Sequence, residues 1–256
     1  MVDNKFVFIA PIYNASKTLN QMIVSIVGQS YCNWKIILID DVSETVLERD
    51  SEKFIINQWK DVYGSDRIVT LWNDEKKWEI ANVLRGIRLC DDDDIVCRID
   101  GDDYLCDLDA LWILNETYKE CKCDAVWSKH RWGKSDRNIS SHMTYGSDVY
   151  THPWVSSHLK TFRKQLINNV PYDNFVNMNG ELVRRAGDQA LYLPILHNAK
   201  KWMYLPRVLY SYTIDEQGGA VYQTDDAKFQ KAEADFIRAR GYVSIGDTWE
   251  QKLLCK

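Results

Sequence analysis

The chain has 256 residues, a formal net charge of −5 and 45% hydrophobic residues. This length supports one large domain with a sizeable core, and the acidic balance excludes a global basic field that would attract nucleic acid or anionic lipid. The sequence starts without a signal-peptide pattern, and no apolar run reaches the roughly 18 residues that a membrane span requires. Its seven cysteines include no paired CxxC motifs, so we expect a cytoplasmic protein with reduced thiols and neither a zinc site nor a disulfide framework.

The first hundred residues alternate between strand-like and helix-like segments. Runs of β-branched and aromatic residues predict strands at residues 5–10, 34–39, 67–71 and 95–99. Apolar residues at helical spacing predict helices at residues 14–27, 48–63 and 79–89, the first of them capped by Asn14 or Ser16. Apolar strands that alternate with helices predict an α/β fold, in which a mostly parallel sheet is flanked by helices.

The second half of the sequence is less regular. Apolar spacing predicts helices at residues 108–119, 188–198 and 227–240. Strands are predicted at residues 124–128, 159–163 and 202–212, and Pro206 breaks the last of them. Residues 129–138 form a predicted polar loop, and the final residues form a loosely held tail. Because the sequence contains neither an internal repeat nor a linker, we predict a single continuous domain.

Four polar loops follow the four predicted strands of the first half, at the edge where open α/β sheets bind ligands. They contain Pro11-Ile12-Tyr13-Asn14, then Asp40-Asp41-Val42-Ser43, then Asn73 with Ala81, Asn82 and Gly86 of the next helix, and finally Asp100-Gly101-Asp102-Asp103. The last loop brings together carboxylates that suit a divalent cation and a glycine that lets the backbone approach a bound group. Alone, the same loop is also compatible with an acidic surface turn.

In this order, the patterns P-x-Y-N, D-D-x-S, A-x-N-x-x-x-G and D-x-D-D resemble the family 2 glycosyltransferases of GT-A fold. The resemblance implies a single GT-A (Rossmann-like) domain, an inverting sugar transfer from a UDP-sugar donor, and Mn²⁺ or Mg²⁺ as cofactor. It also implies a functional division of the chain. Residues 1–105 would bind the nucleotide sugar, residues 106–215 would bind the acceptor and carry catalysis, and residues 216–256 would form a C-terminal helix and tail.

The resemblance also assigns roles to single residues. The implied donor-binding residues lie in the four loops and are Pro11, Tyr13, Asn14, Asp40, Asp41, Asn82, Asp100 and Gly101. Tyr13 would stack against the base, and Asp40 or Asp41 would accept a hydrogen bond from the uracil ring. Asp102 would be the main metal ligand, with Asp100 near both the metal and the ribose. Lys76 and Lys77 either approach the phosphates or form a solvated surface.

The family uses a carboxylate at the start of a helix in the second half as the general base. Here Arg184 and Arg185 lead into an apolar helix at Asp188, which is therefore the predicted base, and Gly187 stands where the family often has glutamate. A general base typically contributes about 10²–10⁴-fold in rate. Helix capping is the alternative role for Asp188, and one residue can serve both.

The acceptor is less well defined by the sequence. A saccharide, free or lipid-linked, is the first expectation, with Trp127, Trp132, Trp154 and Trp202 as a platform for it. The basic and aromatic residues 129–138 support an alternative, hydroxymethylcytosine or its glucosylated form in phage DNA. Alternatives of another class are a non-catalytic nucleotide-sugar-binding module and a nucleotidyltransferase. We expect His152, His158 and His197 to serve packing or surface roles, and the oligomeric state stays open.

Overall fold

The computed structural model describes residues 3–213 and 225–254. Its strands are β1 (Phe6–Ile12), β2 (Trp34–Asp40), β3 (Ile68–Trp72), β4 (Ile95–Arg98), β5 (Tyr104–Leu105), β6 (Ala125–Trp132), β7 (Lys160–Arg163) and β8 (Trp202–Tyr212). Its α-helices are α1 (Leu19–Val27), α2 (Val46–Tyr63), α3 (Glu79–Ile87), α4 (Ala110–Cys121), α5 (Gly187–Asn198), α6 (Asp225–Arg240) and α7 (Trp249–Leu254). Every strand and helix predicted from the sequence has a counterpart here, with shifted ends.

The eight strands form one sheet in the order β3-β2-β1-β4-β7-β6-β8-β5. The first four strands of this order are parallel. β7 is antiparallel to both β4 and β6, whereas β6 and β8 are parallel. The predicted α/β fold with a mostly parallel sheet is therefore confirmed.

Helices cover both faces of the sheet, because alternate side chains of each strand point to opposite sides. Val7 and Ile9 of β1 face a core that includes α3 and α5. Phe6 and Phe8 face a second core that includes α1 and α4. All four side chains are fully buried, and each such burial contributes about 1.5–3 kcal/mol relative to an exposed side chain. These two cores hold the strand ends, and thus the polar loops, in fixed positions.

Some local predictions are wrong. α1 begins at Leu19 with Thr18 in the cap position, so neither Asn14 nor Ser16 caps it. Asn14 has a φ angle of 51° and instead joins two loops. Its backbone N–H donates to Ser43 Oγ at 2.9 Å. Its Oδ1 atom accepts from the Glu44 N–H at 2.9 Å.

In the second half, β6 is longer than predicted and β8 is unbroken. Residues 129–132 belong to β6 and not to the predicted polar loop, because they pair with β8 and the His130 side chain is buried. Pro206 does not break β8. The pairing of β6 and β8 shifts register at Ser128, from Leu205 to Val208. The shift leaves Pro206 unpaired, so its missing N–H removes no hydrogen bond from the sheet.

The predicted loose tail is also wrong for residues up to 254, while residues 255–256 lie outside the described residues. Trp249 of α7 is fully buried, and its Nε1–H donates to the Ile167 carbonyl oxygen at 2.7 Å. Across residues 3–213 and 225–254, no helix combines the length and apolar character that crossing a bilayer requires.

Candidate active site

A cleft runs across the carboxyl ends of the parallel strands and continues past the start of α5. We divide it into three adjoining cavities. The β1-side cavity, about 770 Å³, includes Pro11, Tyr13, Asp41, Asn82 and Asp100 in its lining. The central cavity, about 250 Å³, is lined by Glu79, Asp100, Asp102, His158, Arg185, Asp188, Tyr212 and Gln230. The α6-side cavity, about 680 Å³, shares His158, Asp188, Tyr212 and Gln230 with the central cavity.

Two carboxylates from the loop after β4 face the central cavity. Arg98, whose side chain is only 2% exposed, donates to Asp100 Oδ1 at 2.6 Å and to Glu79 Oε1 at 2.9 Å. Asp102 is open to the cavity, with Asp100 nearby. Desolvation within the cleft and then the negative charge of Asp100 raise the pKa of the Asp102 carboxyl to about 6. The pair therefore carries negative charge that the described side chains only partly neutralise.

The third carboxylate of this loop has a different role. Asp103 is buried, where it accepts hydrogen bonds from Tyr210 Oη at 2.6 Å and from the Thr213 N–H at 2.7 Å. Burial, followed by the charges of Asp100 and Asp102, raises the pKa of Asp103 to about 9. Asp103 thus ties the loop after β4 to the end of β8.

The residues at this edge fit a divalent cation bound together with a diphosphate. Among residues 3–213 and 225–254, no three His, Cys, Asp or Glu side chains form a ready-made metal cage. Asp100 and Asp102 supply two carboxylates, one fewer than the three ligands of such a cage. Mg²⁺ in phosphate-binding sites is typically held by one or two carboxylates, while substrate phosphates and water supply the remaining ligands. A cation would also relieve the repulsion between the two carboxylates.

The loop after β1 borders the β1-side cavity. Tyr13 is 38% exposed, and its hydroxyl donates to Glu44 Oε1 at 2.8 Å. The ammonium group of Lys76 lies 3.3 Å from the centroid of the Tyr13 ring. Pro11 and Lys76 both line this cavity, whereas Lys77 is not part of its lining. Of the two lysines considered in the sequence, Lys76 is therefore the one that reaches the cleft, beside Tyr13.

The loop after β2 separates its two aspartates. Asp40 is fully buried and pairs with Arg49 Nη2 at 2.8 Å. Asp41 lines the β1-side cavity. Its carboxylate accepts from the backbone N–H groups of Lys77, at 2.6 Å, and Trp78, at 3.1 Å. Of the two, Asp41 is therefore the one that a ligand in this cavity could approach.

Asn82 and Gly101 also take different positions. Asn82 is buried and lines the β1-side cavity, where its Oδ1 atom accepts from Asn73 Nδ2 at 2.7 Å. Its Nδ2 group is enclosed and has no partner among the described residues. Gly101 is buried against β1, and a Cβ atom there would lie 2.8 Å from Cγ2 of Ile12. Gly101 therefore permits close packing of the two loops.

Asp188 is the second residue of α5 and faces the central and α6-side cavities. The cap position belongs to Ala186, so the capping alternative is wrong. Lys160 Nζ donates to Asp188 Oδ1 at 2.7 Å, and His158 Nε2 lies 3.8 Å from Oδ2. Burial alone would favour the neutral acid, but nearby positive charge, Lys160 first, holds the pKa of Asp188 well below its usual range.

Of the four tryptophans predicted to form an acceptor platform, only Trp132 and Trp154 reach the cleft. Trp127 is fully buried and Trp202 is 7% exposed, so neither can present a ring face to a ligand. Trp132 and Trp154 line the α6-side cavity. The Trp132 ring lies 5.8 Å from the ring of Tyr212, and the guanidinium of Arg137 lies over it at 4.3 Å.

Sequence reasoning missed four residues that line the central cavity, namely Glu79, Arg185, Tyr212 and Gln230. It also missed Arg98 and Lys160, which pair with Asp100 and Asp188 of that lining, and it gave His158 only a packing or surface role. Arg98 carried a usable signal, because it is a charged residue at the end of an otherwise apolar strand, whereas Lys160 begins a strand that also contains Thr161 and Arg163. Both are nearly fully buried, and buried charges are usually paired. His158 stacks on Tyr210 with ring centroids 4.8 Å apart, so it packs and also faces the cleft.

Comparison with known proteins identifies the family. Residues 7–180 match the family described as Glycosyl transferase family 2. Since the match covers more than half of the chain, the protein belongs to this family. The Bacillus subtilis (strain 168) protein named "Putative glycosyltransferase EpsE" is 39% identical over 92 residues, which are 36% of this chain and 31% of that protein. The chain thus spans less than a third of that relative's length.

Solved structures show the same fold at lower identity. The structure of S. aureus TarS residues 1–349 in complex with UDP-GlcNAc has a TM-score of 0.66 at 18% identity, over 86% of this chain and 61% of that chain. The mannosyltransferase PcManGT from Pyrobaculum calidifontis, in complex with GDP-Man and Mn²⁺, has a TM-score of 0.56 at 13% identity, over 87% of this chain and 61% of that chain. These likenesses confirm the predicted GT-A fold class.

Proposed function

We propose that the protein transfers a sugar from a UDP-sugar donor to an acceptor hydroxyl with inversion at the anomeric carbon. For a member of this family, the proposal depends on one observation. The carboxylate pair Asp100 and Asp102 and the separate carboxylate Asp188 line the same central cavity, which has a larger cavity on each side. This arrangement suits a reaction centre between a donor site and an acceptor site.

The β1-side cavity is the proposed nucleotide site. It is lined by the Tyr13 ring, the Asp41 carboxylate and the Asn82 side chain. The related structures bound to UDP-GlcNAc and to GDP-Man support a nucleotide-sugar donor for this fold. Arg185 lines both this cavity and the central one, so it is positioned between them to approach a diphosphate.

Asp102 and Asp100 are the proposed ligands of Mn²⁺ or Mg²⁺. When bound there, the cation would stabilise the negative charge that develops on the departing diphosphate. Arg98 holds Asp100 through a hydrogen bond of 2.6 Å. The hydrogen bond from Tyr210 to Asp103 anchors the loop after β4 to β8. The protein therefore fixes the direction of the Asp100 carboxylate, and the position of the loop that carries Asp102, before any ligand arrives.

Asp188 is the proposed general base. Because the pKa of Asp188 is depressed, its carboxylate is ionised at neutral pH and can take the proton of the acceptor hydroxyl. The hydroxyl oxygen then bonds to the anomeric carbon, while the bond from that carbon to the diphosphate oxygen breaks. The nucleoside diphosphate leaves with the bonding electrons, and the proton stays on Asp188.

The α6-side cavity is the proposed acceptor site, and a saccharide fits its lining best. Trp132, Trp154 and Tyr212 supply apolar faces, and Gln189 and Gln230 supply hydrogen-bonding groups beside them. Such a mixture of flat apolar walls and a few polar groups is typical of small-ligand sites. In the proposed division of the chain, α6 from the C-terminal segment thus helps to form the acceptor site.

The test is a turnover assay with the full chain, Mn²⁺ or Mg²⁺, and a panel of UDP-glucose, UDP-GlcNAc and GDP-mannose. Saccharide acceptors form one arm, and DNA containing hydroxymethylcytosine or its glucosylated form is the other. We expect release of UDP and a saccharide product heavier by one sugar residue. Release of pyrophosphate would indicate a nucleotidyltransferase. Donor binding without turnover would indicate a binding module. Transfer only to DNA would show that the acceptor is DNA and not a saccharide.

A further inference from the structure

Lys160 is a fully buried cation at the sheet edge that carries the cleft. It is the register partner of Arg98 across the antiparallel β4–β7 pair, so the two side chains leave the sheet on the same face. Each cation has its own carboxylate partners. Arg98 binds Asp100 and Glu79, whereas Lys160 binds Asp188. One cation thus supports the proposed metal side of the cavity, and the other supports the proposed base.

The contacts of Lys160 distinguish the two oxygens of Asp188. Oδ1 accepts the ammonium hydrogen bond at 2.7 Å. Oδ2 faces His158, whose Nε2 atom is 3.8 Å away, beyond hydrogen-bond length. Oδ2 is therefore the oxygen with capacity left to accept a proton from a ligand in the central cavity.

Lys160 also determines the tautomer of His158. Its Nζ atom lies 3.4 Å from His158 Nδ1. An ammonium group can only donate, so Nδ1 must be the accepting nitrogen and the ring hydrogen lies on Nε2. Burial and then the charge of Lys160 lower the pKa of His158 to about 3, which keeps the ring neutral. His158 therefore presents an N–H group to the cleft and has no free nitrogen to receive a proton.

We propose that Lys160 is a positioning residue that makes Asp188 Oδ2 the proton acceptor and His158 Nε2–H a hydrogen-bond donor toward the acceptor hydroxyl. This inference rests on the proposed role of Asp188 as base. The other charged or titratable groups around Asp188 are Arg98 from β4, Asp100 and Asp102 from the loop after β4, Glu79 from α3, Arg185 before α5, His130 from β6 and Tyr212 from β8. None of these contacts Asp188 as closely as Lys160 among the described residues.

The experiment compares Lys160→Met and Lys160→Arg with wild type, using the UDP-sugar that gives the fastest UDP release. Lys160→Met should lower kcat about 10- to 100-fold, a fraction of the full contribution of a general base, with the donor KM within about twofold. The acidic limb of the kcat–pH profile should move to higher pH, because Asp188 loses its nearest cation. Lys160→Arg keeps the charge and should retain a wild-type acidic limb with part of the lost kcat.

Lys164→Met is the matched control, because Lys164 is a buried lysine paired with Asp92 outside the cleft. It should leave kcat and the pH profile unchanged. Asp188→Asn tests the role of Asp188 as base separately from the role of Lys160. If Asp188→Asn is inactive while Lys160→Met has wild-type kcat and pH profile, the role of Lys160 is wrong and the base assignment stands. If Asp188→Asn is as active as wild type, both are wrong.

A measurement on the wild-type protein tests the tautomer without any variant. The ¹⁵N chemical shifts of the His158 ring should show a protonated Nε2 and an unprotonated Nδ1 at pH 7. The opposite tautomer would overturn the inference even if Lys160→Met does not fold.

Discussion

The carboxylate of Glu79 occupies the space in which a side chain at residue 187 would begin. A Cβ atom built on Gly187 would lie 2.5 Å from Cδ and from Oε2 of Glu79. This chain has glycine directly before the proposed base, and the Glu79 carboxylate reaches that position from α3. Burial and the charges of Asp188 and Asp100, opposed by Arg98, raise the pKa of Glu79 to about 7. Glu79 thereby links the base side of the cavity to Arg98 and Asp100.

Gly187→Ala should destabilise the protein by about 1–3 kcal/mol, because the added methyl group displaces the Glu79 carboxylate from its contact with Arg98. The double variant Gly187→Ala/Glu79→Ala removes the obstructing carboxylate, so its loss should be smaller than the sum of the two single losses. Urea unfolding of the three variants and the wild type measures this coupling. Strictly additive free energies of unfolding would show that the two residues do not interfere.

Asp102→Asn should lower kcat/KM by at least about 100-fold and weaken its dependence on Mn²⁺ concentration, because a proposed metal ligand loses its charge. The measurement is UDP release across a Mn²⁺ titration. Asp93→Asn, an exposed carboxylate in the turn before β4, is the matched control and should behave as wild type. Equal Mn²⁺ dependence in Asp102→Asn and wild type would remove Asp102 from the metal site.

Trp132→Ala and Trp127→Ala should have separable effects. Trp132 faces the α6-side cavity, so its loss should raise the acceptor KM roughly tenfold and leave the donor KM unchanged. Trp127 is fully buried, so its loss should reduce the free energy of unfolding by about 3–5 kcal/mol. Acceptor and donor titrations, together with urea unfolding, give both quantities. An unchanged acceptor KM in Trp132→Ala would place the acceptor elsewhere.

His130 should make the stability of the protein depend on pH. Burial, followed by the positive charge of Lys160, lowers the pKa of His130 to about 4, compared with about 6.5 for an exposed histidine. Between these values the unfolded chain binds a proton that the folded protein does not, so the free energy of unfolding falls as the pH drops. In this window wild type should lose up to about 1.4 kcal/mol per pH unit more than His130→Gln.

Urea unfolding of both proteins at several pH values from 7.5 to 4.5 measures that difference in slope. The comparison with His130→Gln is necessary because Glu79, whose pKa is raised, changes stability in the opposite direction over part of the same range. Parallel curves for the two proteins would show that His130 titrates as an ordinary exposed histidine.

The strands, helices and loop positions of the first half followed from local patterns. Buried strands are marked by continuous apolar runs, and the polar residues that end them must lie at one edge of a parallel sheet. Asp41, Asn82, Asp100 and Asp102, which follow or lie just beyond such strands in the sequence, accordingly line one cleft. Asp188 is recognisable in the same way, because it stands at the start of an apolar helix.

The orientation of single side chains did not follow from such patterns. Asp40 and Asp41 are adjacent, and only the position of Arg49 in α2 shows which of them is paired inside the protein. Lys160 and Glu79 reach Asp188 and Gly187 from segments distant in sequence, so their roles depend on tertiary packing. The same is true of β6, which continues to Trp132 because its partner β8 covers it.

The most direct test of the proposed reaction is the rate of sugar transfer by Asp188→Asn, measured beside its affinity for the UDP-sugar donor. The variant should bind the donor with a Kd within about twofold of wild type, because Asp188 lies outside the proposed nucleotide site. Its transfer rate should fall by at least about 100-fold, because the acceptor hydroxyl loses its base. Transfer at the wild-type rate would contradict the assignment of Asp188 and of the central cavity as the reaction centre.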